Sequence, residues 1–319
     1  MAPAQLTLVP DTCDHFDSTE IGDDLYESKP RLSIPLPSVV GDWRIHRHVG
    51  RGSTANVFSV RCGRLIAVMK VERVGATRSA RSCIHREADW LRVHGGFGRP
   101  SLLDDGRLED GRAWFVMSMA PGTNLSDWWQ NGGKKTPLDS IRIIARAARI
   151  MGDVHRGGWV HRDLKPSNIS IGPDGEVTIL DWGLVHLNRP GVQSTTVVAG
   201  TPGFIPPELF RQRRPVHTPT LDTYALGCCL LVLLSGKCMW PHELGVQSIH
   251  TVVNRAGFTG IAKHSLVHIL GRALSRDPRK RWQNGHELAA ECEGWLRCMA
   301  PEFHRQKRGL EEQAYRTPA

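Results

Sequence analysis

The chain has 319 residues, of which 40% are hydrophobic and 23% charged. This length can bury one or two sizeable cores, and the balance excludes a wholly disordered or a fibrous protein. The formal net charge is +9, but residues 1–30 carry seven acidic residues against a single lysine, a net of −6, which leaves +15 on the remainder. The acidic residues are Asp11, Asp14, Asp17, Glu20, Asp23, Asp24 and Glu27. A basic body is compatible with nucleic acid, an anionic membrane or phosphorylated ligands, although a solvated surface is its commonest origin.

Cysteine usage and hydropathy bear on the compartment. The eight cysteines show no C-x-x-C spacing, and several lie in apolar helical contexts such as Cys228–Cys229. Reduced thiols in a cytoplasmic protein explain this better than disulfides or zinc. No secretory signal pattern opens the chain, and the longest apolar run, residues 225–234, is about half of a bilayer span. We therefore predict a soluble cytoplasmic protein without a membrane segment.

The N-terminal third reads as an extension followed by strands. Residues 1–40, acidic and then punctuated by proline, predict a mostly disordered lead-in. Residues 57–60 and 65–70 are strand-like and are separated by a hairpin turn at 61–64. Residues 82–94 predict a helix that Gly95–Gly96 ends, and residues 113–119 predict another strand.

The rest of the chain is mainly helical. Residues 138–156 predict an amphipathic helix with arginines 142, 146 and 149 on one side. Two short strands, 169–171 and 177–180, flank a turn at 173–175, and helical segments follow to about residue 298. The last twenty residues, 299–319, read as a tail. Strands first and helices later predict an α+β arrangement of a small sheet and a larger helical part.

The first chemical signal is a glycine-rich turn. Gly50, Gly52 and Val57 lie in a G-x-G-x-x-A-x-V pattern, in which backbone N–H groups can approach phosphate oxygens. Alone this signal is weak. Lys70 ends an apolar strand thirteen residues after Val57, within reach of such phosphates. Glu87 on the predicted helix is the preferred partner of Lys70, and Glu72 is a rival on the same strand face.

The strongest signal is the run His161-Arg162-Asp163-Leu164-Lys165-Pro166-Ser167-Asn168, followed thirteen residues later by Asp181-Trp182-Gly183. Two acids and an amide at this separation can converge on a metal and a substrate. Asp163 would accept the proton of a substrate hydroxyl, and Asn168 and Asp181 would hold Mg²⁺. Lys165 would neutralise charge that builds on a transferred phosphoryl group.

Together these segments resemble the eukaryotic-type (Hanks-type) Ser/Thr protein kinase superfamily from about residue 43 to residue 298. The resemblance implies a bilobal protein-kinase fold over 41–298, with an N-lobe of about 41–119 and a C-lobe of about 120–298. It implies catalytic roles for Asp163, Lys165, Asn168, Lys70, Glu87 and Thr201. It implies nucleotide contacts from Gly50, Gly52, Ser53, Val57, Ala67, Lys70, Met117, Ser118, Met119, Ala120 and Ser170, and metal contacts from Asn168 and Asp181.

The same resemblance extends to framework residues. Residues 200–208 resemble the end of an activation segment, with Pro206 where alanine is usual. Asp222 resembles the helical anchor that braces the catalytic loop, and Arg281 resembles the usual buried partner of Glu208. Trp182 replaces the usual phenylalanine, and Ser170 stands where an apolar residue normally floors the adenine.

The implied activity is transfer of the ATP γ-phosphate to protein serine or threonine hydroxyls, with Mg²⁺ or Mn²⁺. Lys165 and Thr201 fit the Ser/Thr branch of the superfamily. Arg162 before Asp163 implies control by phosphorylation of the activation loop, and Ser194, Thr195 and Thr196 are the candidate acceptors.

Two other functional classes stay open at the level of sequence. A pseudokinase scaffold would bind nucleotide or partners without transfer, and a small-molecule phosphotransferase would use a similar Asp and Asn loop. The segment from Thr201 to Glu208, together with Arg281, disfavours the second. A nucleic-acid binder rests only on net charge and on the arginines at 142, 146 and 149, so nucleic acid is not an expected partner.

Overall fold

The computed structural model describes residues 36–52, 55–131, 135–188, 200–211, 216–238 and 245–316, with side chains in the last helix described as far as Phe303 except residue 302. Several expectations fall outside these ranges: the acidic stretch, the nucleotide contact at Ser53 and the candidate acceptors Ser194, Thr195 and Thr196. The chain divides into two compact units, one of residues up to Gly96 with Pro100–Met119, the other of Phe97–Arg99 with the residues from Ala120 onward.

The first unit is built on a six-stranded antiparallel sheet of order β1-β2-β3-β4-β6-β5. Its strands are β1 Val39–Val40, β2 Trp43–Arg51, β3 Ala55–Cys62, β4 Leu65–Glu72, β5 Leu102–Arg107 and β6 Ala113–Ser118. Alternation along the strands turns one set of apolar side chains into a shared core, which includes Val60, Ala67, Met69, Val71 and Val116, none of them exposed to solvent. The predicted strands and hairpin are therefore present: β3 and β4 are longer than predicted, and β6 ends one residue earlier, at Ser118.

One helix, α1 Arg78–His94, completes the first unit. The Thr77 hydroxyl caps its N-terminus by accepting the N–H of Ala80, so the helix begins four residues before the predicted start. Its end agrees with the prediction. The Gly95 N–H bonds to the Leu91 carbonyl, and a Cβ at Gly95 would lie 2.7 Å from the Pro100 carbonyl oxygen, so only glycine fits there.

The second unit is mainly helical. Its helices are α2 Leu125–Gln130, α3 Pro137–Arg156, α4 Glu208–Arg211, α5 Thr220–Ser235, α6 Val246–Arg255, α7 Gly260–Ala273 and α8 Gly285–Arg316. Its short strands are β7 Thr123–Asn124, β8 Trp159–Val160, β9 Ile169–Ile171, β10 Val177–Ile179 and β11 His186–Leu187. They form a sheet of order β10-β9-β7 and a separate β11-β8 pair. A sheet unit followed by a helical unit confirms the α+β prediction.

Helix α3 is the central helix of the second unit's core. Thr136 and Asp139 form a reciprocal capping box at its N-terminus and Pro137 occupies the first turn, which fixes the start one residue before the prediction. Its apolar side packs on α5 and α8. Gly152 and Gly285 allow α3 and α8 to approach closely, because a Cβ at Gly285 would collide with the carbonyl of Ala148.

Regular elements are present outside residues 41–298, the predicted limits of the kinase domain, which stay a prediction. Val39 and Val40 already pair with β2, and Val40 is buried, so ordered structure begins before residue 41. At the other end, α8 continues without interruption from Gly285 to Arg316, through Pro301, instead of ending near residue 298. Among the described ranges, no helix has the length and apolar character that crossing a bilayer requires.

Candidate active site

A lysine–glutamate pair lies in the first unit. The Lys70 Nζ atom on β4 is 2.8 Å from both carboxylate oxygens of Glu87 on α1. The pair is largely shielded from solvent, with side-chain exposures of 12% and 3%. Partial burial strengthens the attraction relative to a surface pair and fixes the direction of the lysine. This is the pairing that the sequence favoured.

The rival carboxylate is engaged elsewhere. Glu72 accepts the N–H of Ala113 at 3.1 Å and pairs with Arg81 at 2.7 Å. Helix α1 therefore carries both the glutamate that holds Lys70 and the arginine that holds Glu72. The two ionic contacts fasten α1 to β4 at two points.

The strand register corrects one predicted nucleotide contact. Val57 and Lys70 are directly opposite each other, as are Val68 and Met117, so these four side chains lie on one face of the sheet. Ala67 belongs to the opposite face, where it is completely buried in the core with Met69 and Val71. The prediction for Ala67 is wrong by one residue: Val68 shares the face of Lys70, because a strand reverses sides at every step.

The glycine turn joins β2 to β3. Gly50 pairs with Val57, and the Gly52 N–H bonds to the Ala55 carbonyl at 2.9 Å. A Cβ at Gly50 would meet no atom of the described residues within 4 Å. The residues expected to contact adenine follow β6. Met117 is buried, Ser118 accepts the N–H of Ser101 at 2.9 Å, Met119 is exposed and Ala120 is half-buried.

A hydrogen-bonded network surrounds Asp163 in the second unit. The Lys165 ammonium donates to the Thr201 hydroxyl at 2.7 Å, and that hydroxyl donates to Asp163 Oδ1 at 2.7 Å. The Asn168 amide donates to the Asp163 carbonyl at 2.9 Å and to Asp163 Oδ2 at 3.2 Å. Both carboxylate oxygens are thereby oriented by side chains that lie up to 38 residues away in sequence.

Burial raises the pKa of the Asp163 carboxyl, the nearby charge of Asp181 raises it further, and Lys165 and the Thr201 hydrogen bond act in the opposite direction. Asp163 and Asp181 are therefore near enough for their charges to interact. Asp181 is also held near Asn168, because the Leu180 N–H bonds to the Asn168 carbonyl at 2.8 Å. The structure thus brings Asp163, Asn168 and Asp181 to one place.

The oxygen donors here suit a hard divalent cation. Asn168 uses its amide NH₂ on Asp163, which leaves its carbonyl oxygen for a cation, and Asp181 supplies a carboxylate. Mg²⁺ prefers such oxygen ligands, typically with one or two from the protein. Among the described residues, Arg162 and Asp181 are the non-glycine residues with positive φ, at 72° and 62°. Such strained backbone is concentrated at functional sites.

Helix α5 holds the loop that carries Asp163 in place through the side chain of Asp222. The Asp222 carboxylate accepts the backbone N–H groups of His161 and Arg162 at 2.8 and 2.9 Å. It also accepts the His155 Nε2–H at 2.9 Å, while His155 Nδ1 accepts the N–H of Gly285. Burial opposes ionisation of Asp222, but the hydrogen bonds from His155 and His161 keep its pKa below the usual value. The anchor role of Asp222 was expected, whereas His155 was not singled out.

Trp182 and Ser170, the two departures from the usual kinase residues, are both accommodated with their polar groups hydrogen-bonded. Trp182 is fully buried, donates its indole N–H to the Ile179 carbonyl at 3.0 Å and meets the His161 ring edge-on at 4.5 Å. The Ser170 hydroxyl lies 2.9 Å from the Pro121 carbonyl and 3.2 Å from that of Thr123. The Ser170 hydroxyl therefore joins β9 to Pro121 and to the first residue of β7, and its polar group has hydrogen-bond partners.

The segment that ends at Glu208 is fixed by a buried ion pair. Arg281 donates to both Glu208 oxygens at 2.7 and 2.6 Å and to the Ser275 carbonyl at 2.7 Å. Its guanidinium also lies 4.7 Å from the Tyr224 ring centre and is inaccessible to solvent. The predicted Glu208–Arg281 pair is present, and its bidentate geometry is the strong form of such a contact.

A pair of histidines beside Arg162 was missed by sequence reasoning. His217 is 3% exposed, its two ring nitrogens have no hydrogen-bond partner in the part of the chain described, and its ring lies 5.2 Å from that of His186. Burial, with the charge of Arg162 nearby, lowers the pKa of His217 to about 4. Nothing in the local sequence distinguishes His217 from a surface histidine.

Residues 43–298 match the protein kinase domain. The chain belongs to the protein kinase family. The superfamily resemblance and the kinase fold inferred from the motifs are thereby confirmed.

The chain is similar to serine/threonine-protein kinases of mycobacteria. It is 28% identical over 186 residues to PknB of Mycobacterium tuberculosis, which covers 56% of this chain and 29% of that protein. It is 27% identical over 274 residues to PknJ of the same species, which covers 79% and 45%. The chain thus spans between about a third and a half of the length of these relatives.

Proposed function

We propose that this kinase transfers the γ-phosphate of ATP to serine or threonine hydroxyls of proteins. The observation that carries the proposal is the network in which Lys165, Thr201 and Asn168 all converge on the carboxylate of Asp163. A scaffold without transfer activity has no need of a carboxylate held by three polar partners. The names of its mycobacterial relatives favour the same acceptor class.

In this proposal Asp163 orients the acceptor hydroxyl and takes its proton as the oxygen attacks phosphorus. Thr201 keeps one carboxylate oxygen in place, so that the other faces the acceptor. Lys165, held 2.7 Å from the Thr201 hydroxyl, brings a positive charge to the oxygens of the transferred group. Asn168 and Asp181 would hold Mg²⁺ or Mn²⁺, which supplies neutralisation of the triphosphate charge.

The first unit contributes phosphate contacts of its own. Glu87 holds the Lys70 ammonium in an extended position, from which it can bind α- and β-phosphate oxygens. The backbone around Gly50 and Gly52 can approach the phosphates because neither residue has a Cβ. Val57, Val68 and Met117, on the face of Lys70, are the apolar side chains suited to the adenine, with chain atoms of Ser118, Met119 and Ala120 offering its hydrogen bonds.

Control by autophosphorylation is a finer part of the proposal. The acceptor candidates are Ser194, Thr195 and Thr196, which are outside the described residues. Arg162 donates Nε to the Leu184 carbonyl at 2.7 Å, and it lies close enough to His217 to shift its pKa. A phosphate that reached this place would meet the permanent positive charge of Arg162.

The deciding experiment is phosphotransfer by the full chain with Asp163→Asn. With Mg²⁺ and radiolabelled ATP, we expect the wild type to label itself and a mixed Ser/Thr peptide library. The variant should fall by about 10²-fold or more, the usual effect of losing a general base. Asp174→Asn, on the exposed turn between β9 and β10, is the matched control and should keep full activity. Equal labelling of the two variants would exclude Asp163 as the base, and a wild type that binds ATP without labelling would identify a pseudokinase.

A further inference from the structure

The β2–β3 hairpin carries an unusual concentration of positive charge. Its two strands contain four arginines and two histidines and no acidic residue. Arg44 and Arg61 are directly opposite each other in the register, and Arg47 is opposite Ser59. The bulge between Ile45 and Arg47 returns Arg47 to the face of Arg44, so the three exposed side chains Arg44, Arg47 and Arg61 form one surface. We refer to it as the arginine face.

In the part of the chain that the structure describes, the arginine face is not paired with a carboxylate. Within the described residues, Arg44, Arg47 and Arg61 form no ion pair, and the only side-chain hydrogen bond among them is from Arg61 to the Gly63 carbonyl. Other arginines of the first unit do find carboxylates: Arg81 pairs with Glu72, and Arg92 with Asp89 and Asp105. Like charges directly opposite each other on neighbouring strands repel. A surface of this kind calls for an external anion.

We infer that the acidic N-terminal segment of this chain, residues 11–27, docks on the arginine face. Charge complementarity favours it, because residues 1–30 carry seven acidic residues and one lysine. The point of attachment favours it as well. The chain enters the sheet at β1, where Val39 is paired with Arg44 itself, so the tether ends beside the proposed docking site.

The connecting chain is long enough for this docking. From Glu27 to Val39 there are 12 residues, which span at most about 40 Å when extended. Neighbouring strands are about 4.8 Å apart, so Arg44, Arg47 and Arg61 all lie well inside that radius. A tether of this length keeps the segment at a millimolar effective concentration, which favours an intramolecular contact over most partners in solution. Docking requires no phosphotransfer activity.

The test uses zero-length carbodiimide cross-linking, which joins carboxylates to lysine amines, on the full chain with R44K, R47K and R61K. These changes keep the charge and supply amines on the arginine face. We expect cross-links from residues 11–27 to positions 44, 47 and 61, reduced severalfold in 0.5 M NaCl, where screening shortens the range of attraction. Lys237, Lys263 and Lys280 in the second unit are internal controls and should give few.

Three results of the cross-linking would overturn the inference. These are an absence of cross-links to the arginine face, an equal yield at the control lysines, and cross-links that join two copies in a mixture of isotopically light and heavy chains. The last result would assign the contact to a second copy of the chain.

A second measurement leaves the folded residues untouched. In the full chain, the seven acidic residues from Asp11 to Glu27 are changed to their amides, and hydrogen exchange is compared with the wild type. We expect exchange at residues 43–62 to become severalfold faster in the amide variant, and exchange in α7 to stay the same. Identical exchange at residues 43–62 would overturn the inference even if the lysine variant failed to fold.

Discussion

The partner that a charged side chain binds in this kinase depends on which of its possible partners are already engaged by other residues. Lys70 lies on a strand with one glutamate two residues away, yet it binds Glu87 on α1, because Glu72 is already held by Arg81 and the Ala113 N–H. The Asp163 carboxylate is similarly reserved by Thr201 and Asn168. Both candidates are oriented in part by residues distant in sequence, Glu87 for Lys70 and Thr201 for Asp163.

His217 provides a residue-scale prediction on pH. Its pKa falls from 6.5 to about 4 on folding, so the unfolded chain binds more protons in that interval and stability decreases as pH falls through it. Replacing His217 by leucine removes this proton uptake and two unpartnered buried nitrogens. We expect a higher melting temperature and a smaller decrease between pH 7.5 and pH 5.

The control for His217→Leu is His268→Leu, at an exposed position of α7. It should leave the pH dependence of the melting temperature as it is in the wild type. If the two variants have the same slope between pH 7.5 and pH 5, His217 is not a source of the acid sensitivity.

At the scale of elements, the second unit is held by buried polar contacts between segments far apart in sequence. The Asp222 carboxylate on α5 accepts the backbone N–H groups of His161 and Arg162 and the ring N–H of His155 near the end of α3. Arg281 joins the turn before α8 to Glu208 at the start of α4. The arginines of α3 that could have suggested nucleic acid have partners of their own, since Arg142 pairs with Asp139 and Arg149 with Glu293.

Arg281→Met tests the contribution of the buried pair. The change leaves the Glu208 carboxylate buried without a counter-charge, and such losses cost about 3–5 kcal/mol. Denaturant unfolding should show a lower midpoint with an unchanged slope. Arg279→Met, two residues away on an exposed side chain, should have little effect. Equal stability of the two variants would mean that the pair contributes nothing net.

At the scale of the molecule, the chain forms two compact units whose cores are built from different secondary structure. The first relies on alternation along β-strands and the second on helices around α3. Their boundary in sequence falls after Met119, apart from the short segment Phe97–Arg99. The apolar core of the first unit includes Val40, with Leu36 packed against it, and both residues precede the predicted start of the kinase domain at residue 41.

A pair of truncations tests where the first unit begins. Removal of residues 1–40 deletes β1 and the burial of Val40, while removal of residues 1–35 keeps both. Burial of one such side chain contributes about 1.5–3 kcal/mol, so the shorter chain should melt at a lower temperature than its partner. Since both lack the acidic segment, the difference isolates residues 36–40. Equal melting temperatures would support the predicted boundary at residue 40.

The sequence by itself determined the family and the α+β class, and it predicted the catalytic-loop candidates, because the groups from His161 to Asp181 lie within about twenty residues and their order survives in any fold. It also located the strands β3, β4, β6, β9 and β10 and the ends of α1 and α3 to within a few residues, through alternation and glycines, whereas the other strands were not predicted. Only the tertiary structure decided that Val68 rather than Ala67 shares the face of Lys70, that His155 and His217 are buried, and that α8 extends to Arg316. These features depend on which surfaces pack against each other, and such packing brings together residues that are far apart in sequence.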